Sequence, residues 1–336
     1  MHFLVTGHTG FKGAWLIVLL KSLGHEVSGL ALDPEKKSLF NMGELSKLLE
    51  FDYRQDIRDL GPLQKAVLNC NPDVIIHMAA QSLVLTSYEK PFETFEINVN
   101  GTLNILEAAR KSNNLKALLV VTTDKVYKNL GTLKRYKESD ELGGDDPYSA
   151  SKAMADILTQ SWQKSVSTQP IGIARAGNVI GGGDYSDNRI IPNLIDDISK
   201  GLNPSLRHPE SVRPWQNVLD CLNGYIFAVN SLIENQKPDI WNFGPDDEVC
   251  RTVSELTDFV IKQTNPSLIW KKSEVNLPEE SKLLLIDSSK ARNELNWREK
   301  YDFESSVMST VNWYKKSDQI STIEYMQNEI SNFNLL

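Results

Sequence analysis

The apolar run Ala117–Val121 is followed closely by Thr123-Asp124-Lys125, and Tyr148 and Lys152 come later, four residues apart. A strand ending in a hydroxyl, a carboxyl and an ammonium gathers three proton-handling groups at one point. Tyr148 and Lys152 share one face of a helix, for which Asp146-Pro147 supplies a cap and a first residue. A nearby ammonium favours a phenolate, so Tyr148 could accept a hydroxyl proton near neutral pH while Thr123 bonds the same oxygen. Asp124 could protonate a leaving hydroxyl if burial keeps its carboxyl protonated. Lys125 could remove a carbon-bound proton if desolvation lowers its pKa. The plainer reading of Asp124-Lys125 is a solvated pair at a strand end. The catalytic set expected is Thr123, Asp124, Lys125, Tyr148 and Lys152.

The chain opens with Gly7-His8-Thr9-Gly10-Phe11-Lys12-Gly13, directly after an apolar strand. Glycines at a strand-to-helix turn let backbone N–H groups approach a pyrophosphate. The loop residues Gly7, Thr9, Gly10, Phe11, Lys12 and Gly13 are therefore expected to bind a dinucleotide. Asp33, about twenty residues beyond Gly13, could bond the adenosine ribose and repel a 2′-phosphate. It could equally be a turn residue before Pro34, and Lys36 and Lys37 leave NADP open. Asp56 and Ile57 follow a third strand and could meet adenine. Ala79, Ala80 and Gln81 follow a fourth, where small residues suit close passage of the cofactor. Tyr148 and Lys152 would reach it too. NAD is the expected cofactor, and no metal is expected, because His8, His77 and His208 show no ligand pattern. On the substrate side, Arg189 and Arg213 suit a diphosphate, since arginine bonds phosphate oxygens in pairs. Structural ion pairing is the alternative for each. Gln81, Tyr88 and Asn178 are expected around the sugar. A dinucleotide, a hydride-transfer set and two extra charges together point to an oxidation, an elimination and a reduction on one sugar.

These residues need a frame that brings strand ends together. Strands at Phe3–Thr6, Glu26–Leu32, Val74–His77, Ala117–Thr122 and Ile171–Ala174 alternate with helices such as Phe11–Leu23, Pro62–Cys70 and Thr94–Lys111. Such alternation predicts an α/β fold with a doubly wound parallel (Rossmann) sheet and a smaller mixed α/β substrate-binding domain. The expected division is 1–175 for NAD and 176–336 mainly for the nucleotide sugar, with a segment near 225–243 returning to the sheet. Helices are expected near 190–200, 218–234 and 251–264, and from about 302 onward. At 336 residues there is ample core, and a net charge of −8 argues against nucleic acid. Cys70, Cys221 and Cys250 have no metal-like spacing and read as reduced thiols. No signal peptide or membrane span is expected, which points to the cytoplasm.

The chain resembles the extended short-chain dehydrogenase/reductases, and within them the CDP-glucose 4,6-dehydratases. The resemblance rests on residues 6–13, 77–81, 123–125 and 146–149. It continues through Arg175-Ala176-Gly177-Asn178-Val179-Ile180-Gly181-Gly182-Gly183-Asp184, Arg213-Pro214-Trp215-Gln216 and Trp241-Asn242-Phe243-Gly244-Pro245. The Asp124-Lys125 doublet marks this group: related dTDP-glucose dehydratases carry Asp-Glu there, and epimerases lack both charges. The chain departs from the pattern at Val126 and at Tyr185-Ser186-Asp187-Asn188. The resemblance implies a three-step cycle. Tyr148, aided by Thr123 and Lys152, deprotonates the 4-hydroxyl as hydride leaves C4 for NAD. Lys125 then takes the C5 proton while Asp124 helps the 6-hydroxyl leave, and the hydride returns at C6. It also implies deoxysugar biosynthesis for lipopolysaccharide O-antigen, and a homodimer or dimer of dimers packed through helices near 94–111 and 147–165. The rivals are a nucleotide-sugar 4-epimerase and a non-catalytic NAD-binding regulator.

Overall fold

The computed structural model describes residues 1–245, 250–274, 283–317 and 319–333. Its frame is a seven-stranded parallel sheet. In chain order the elements begin with β1 (His2–Thr6), α1 (Phe11–Ser22), β2 (Glu26–Ala31), β3 (Asp52–Arg54), α2 (Leu60–Cys70) and β4 (Val74–His77). They continue with α3 (Val84–Glu89), α4 (Pro91–Phe95), α5 (Gly101–Arg110), β5 (Ala117–Val121), α6 (Pro147–Ser165) and β6 (Ile171–Ala176). The helix α7 (Ile190–Ser199) precedes α8 (Val218–Asn235) and β7 (Asp239–Phe243), and α9 (Val253–Thr264), α10 (Phe303–Lys316) and α11 (Thr322–Phe333) follow. The strand order is β7-β6-β5-β4-β1-β2-β3. The order reverses between β1 and β4, and in open α/β sheets ligands bind at such a switch point, beyond the strand carboxyl ends.

The central strands are apolar on both faces, as a sheet covered on both sides requires. One face packs Val5, Ile76 and Leu119 against α1 and α8; the other packs Leu4, Ile75 and Leu118 against α2 and α5. The return to the sheet expected near 225–243 is made by α8 and β7, which joins β6 with Trp241 opposite Ala174. The last stretch is two helices. Trp313, Tyr325, Met326 and Phe333 from them join the α1 side of the main core. A separate cluster of Ile191, Leu194, Trp215, Leu256, Val260 and Val307 holds α7, α9 and α10 together above the sheet.

One helix differs from expectation. The stretch expected as continuous from Thr94 to Lys111 is α4, a wide π turn over Glu96–Asn100, and α5. At its exit a Cβ on Gly101 would come within 2.4 Å of Ile57 Cδ1, so glycine lets the helix pass the end of the cofactor side. No helix among the described residues is long and apolar enough to cross a membrane.

Candidate active site

The strand carboxyl ends open into a cleft of about 600 Å³. Of the residues expected from the sequence, Gly7, Thr9, Gly10, Phe11, Lys12, Gly13, Asp56, Ile57, Ala79, Ala80 and Gln81 line it. So do Thr123, Asp124, Lys125, Tyr148, Lys152, Asn178, Arg189 and Arg213. Two do not. Asp33 follows the lining residue Leu32, but its side chain is 89% exposed and sits 3.8 Å from Arg54 Nε. Tyr88 lies one turn beyond Val84 on α3, past the rim, and is 40% exposed.

The loop after β1 is built for close backbone approach. Gly7 has φ +72°, and a Cβ there would lie 2.8 Å from Ala79 N; a Cβ on Gly13 would lie 2.3 Å from Gly7 O. α1 starts at Phe11 behind Gly10, which offers no side-chain cap. Its first N–H groups therefore suit an anion. Lys12 donates to Tyr225 Oη at 3.0 Å. These features fit a dinucleotide pyrophosphate.

Across the cleft, β5 delivers Thr123-Asp124-Lys125 through one 3₁₀ turn capped by Thr123. Thr123 Oγ1 donates to Asp124 Oδ1 at 2.9 Å. Asp124 is buried, and its Oδ2 has no hydrogen-bond partner among the described residues. Burial raises its carboxyl above the usual range, against opposing pulls from Lys125, Thr123 and Arg213. Gly177 gives it room, since a Cβ there would stand 3.2 Å from that Oδ2. The solvated-pair reading therefore fails for Asp124.

α6 begins where the sequence suggests, with Asp146 Oδ1 accepting from Ser149 N at 2.9 Å and Pro147 in the first turn. Burial pushes the Tyr148 phenol up to about 12; the Thr123 hydroxyl opposes this, and the Asp124 carboxylate adds to it. Direct help from Lys152 to the phenolate is not seen. Lys152 Nζ instead donates to Val121 O at 2.9 Å. Burial, with the Lys12 charge nearby, lowers its ammonium to about 8. Thr123 and Arg189 are the groups that draw the Tyr148 phenol down.

Several supporting residues carry no sequence motif of their own. Asn98, on the π turn, accepts from Gln81 N at 2.9 Å and donates to Gln81 O at 3.0 Å and Ser151 Oγ at 2.9 Å. It ties the segment after β4 to α6. The Gln81 side chain is itself committed, donating to Thr94 Oγ1 and accepting from Leu83 N. Arg175 is fully buried and doubly bonded to Asp156 at 2.8 and 2.7 Å. Asp156 also accepts from Thr122, so this pair fixes α6 to the end of β5. Arg207, His208 and Ser211 line the far end with Arg189 and Arg213, and the spacing of Arg207 and His208 gives no signal. Arg213 is buried, and its NH1 donates to Val212 O at 2.9 Å. Arg189 Nε lies 3.7 Å from Asp184 Oδ2. Trp215 is buried and donates to Arg251 O at 2.9 Å, while also lining the cleft.

Known proteins share this frame. The sequence model described as GDP-mannose 4,6 dehydratase matches residues 4–310. The CDP-glucose 4,6-dehydratase of Salmonella typhimurium is 39% identical over 322 residues, covering 93% of this chain and 89% of that protein. The dTDP-glucose 4,6-dehydratase of Bacillus anthracis, solved in complex with NAD, superposes with a TM-score of 0.80 at 25% identity, covering 95% of this chain and 98% of that one. The UDP-glucose 4-epimerase of Thermus thermophilus, solved with NAD, gives 0.83 at 25% identity over 94% of this chain and all of that one. The chain belongs to the GDP-mannose 4,6-dehydratase family, among the extended short-chain dehydrogenase/reductases.

Proposed function

We propose that this chain is an NAD-dependent nucleotide-sugar 4,6-dehydratase that converts CDP-glucose to CDP-4-keto-6-deoxyglucose and water. One observation carries the reading beyond a simple hydride exchange. A buried carboxyl, Asp124, with an oxygen that has no hydrogen-bond partner among the described residues, lines the same cleft as Thr123, Lys125 and Tyr148. A 4-epimerase moves only a hydride and a hydroxyl proton at C4 and needs no acid for a leaving group. Bound NAD would accept the C4 hydride and return it at C6.

Everything else is proton handling by the chain. Tyr148 takes the 4-hydroxyl proton, with Thr123 holding the same oxygen. Asp124 in its acid form helps, because its negative charge would raise Tyr148. The resulting ketone acidifies C5–H, and Lys125 takes that proton. Asp124 gives its proton to the departing 6-hydroxyl, which leaves as water, and the C5=C6 bond forms. Hydride return at C6 and proton return at C5 would saturate the C5–C6 bond and leave the 4-keto-6-deoxy sugar. Lys152 holds the β5 end through Val121 O. The glycine loop, with Thr9, Phe11 and Lys12, would hold the pyrophosphate, Asp56 and Ile57 the adenine, Asp33 the ribose, and Ala79 to Gln81 the passage beside β4. Arg213 and Arg189 would grip the sugar diphosphate, with Asn178 near the sugar; Tyr88 would join only if α3 moves inward.

In this reading residues 1–175, with the return at 225–243, carry the cofactor, and 176–336 mainly carry the nucleotide sugar. A cytoplasmic homodimer is supported by three cysteines that form no disulfide among the described residues and by an exposed apolar face of Phe92, Met154 and Ile157 on α4 and α6. The product suits deoxysugar biosynthesis for lipopolysaccharide O-antigen. The test is incubation with NAD and CDP-, dTDP-, GDP- and UDP-glucose, with detection of 4-keto products by absorbance in base and by mass. CDP-glucose should lose one water. Conversion to a product of unchanged mass would identify an epimerase.

A further inference from the structure

A charged cluster at the outer end of the cleft takes no part in the proton chemistry. β2 ends at Ala31, and Ala31 and Leu32 line the cleft. Asp33 comes next. Beside it, Arg54 ends β3, in register with Ala31. Arg54 NH2 donates to Asp52 Oδ2 at 2.7 Å and NH1 to Leu32 O at 3.4 Å. Its Nε stands 3.8 Å from Asp33 Oδ1, and its guanidinium lies 5.0 Å from the centre of the Phe40 ring. Thr9, from the glycine loop, donates to the same Leu32 carbonyl at 3.2 Å. The guanidinium is therefore fixed at the point where β2 runs out, between one fixed carboxylate and one that reaches into solvent.

In this topology the side chain just past β2 meets the 2′ position of the adenosine ribose. A carboxylate there accepts a hydroxyl and repels a phosphate, whereas a guanidinium binds a phosphate, often through two N–H groups. This chain places both at one edge. We infer that Arg54 is a masked determinant of cofactor choice. With Asp33 present, Asp33 and Asp52 compensate its charge and the site takes NAD. With the Asp33 carboxylate removed, Arg54 receives the 2′-phosphate of NADP. This inference rests on the NAD reading above.

Calorimetric titration of the full chain with NAD and with NADP tests it, with thermal melts confirming that each variant is folded. Asp33→Ala should bind NADP roughly ten- to hundred-fold more tightly than the unaltered chain, the range for charge-assisted hydrogen bonds, and NAD more weakly. Adding Arg54→Ala should erase the NADP gain. Arg54→Gln, which keeps donors to Leu32 O and Asp52 without the charge, serves if the alanine variant does not fold. If the double variant keeps the full gain, Lys36 and Lys37 supply the charge and the inference is overturned. It is overturned equally if Asp33→Ala gains nothing while the unaltered chain binds NAD. An unaltered chain that binds neither dinucleotide would overturn the cofactor reading itself.

Discussion

Replacing Lys152 with methionine should make the ligand-free protein more stable at pH 7 while removing its activity. The ammonium is buried on α6, with Val121 O as its hydrogen-bond acceptor and the Lys12 charge nearby. Its pKa falls from 10.5 to about 8. At about 1.36 kcal/mol for each tenfold loss of proton affinity, keeping it charged at pH 7 costs about 3 kcal/mol. Methionine forfeits the charge-assisted bond to Val121 O, worth about 2 kcal/mol, and fills most of the same volume. The net gain is about 1 kcal/mol. The pH sign follows from linkage. The folded value lies below the unfolded one, so between about pH 8 and 10.5 the unfolded chain binds more protons and folding strengthens as pH rises. The unaltered protein should gain that stability across the window; the variant should not. Urea unfolding of both proteins near pH 7 and near pH 10, without added ligand, reads the difference. A variant less stable than the original at pH 7, by a margin that does not change with pH, would refute the reasoning.

Tyr148→Phe should lower turnover by about 100- to 10,000-fold, the usual loss of a general base, with an unchanged melting profile; a near-normal rate would place the base elsewhere. Lys125→Ala should split the reaction, because C4 oxidation keeps Thr123, Tyr148 and Lys152. In deuterated water the unaltered enzyme should label C5 of the product, and the variant should stall after oxidation with almost no label. Full labelling at a normal rate would return Lys125 to a solvated side chain at a strand end. Arg213→Ala should weaken nucleotide-sugar binding by roughly ten- to hundred-fold and NAD binding far less; equal losses measured by titration would indicate a folding defect.

The sheet was legible because its strands are short apolar runs separated by helices of ordinary length, and a covered parallel sheet demands that pattern. The glycine loop, the Tyr148/Lys152 pair and the cap at Asp146 were legible because each is a local spacing rule. What stayed hidden depends on contacts between distant segments. Nothing near Arg175 in sequence announces Asp156, so the buried pair that ties α6 to β6 leaves no local signal. The π turn at Glu96–Asn100 reads as ordinary helix, because its extra residue is paid for by Asn98 bonding Gln81 and Ser151 across the fold. Lys152 was expected to act directly on Tyr148, since four residues apart on a helix means neighbours; the side chain instead turns to the β5 carbonyl.

The central claim is that one hydride leaves C4 and returns to C6 of the same sugar within one turnover, with Asp124 enabling the loss of water between. CDP-glucose carrying deuterium at C4 tests it most directly. Mass and NMR analysis of the product should find the deuterium at C6, water lost, and no net change in the cofactor's redox state. Deuterium retained at C4 of an undehydrated sugar, or accumulating on released cofactor, would contradict the account.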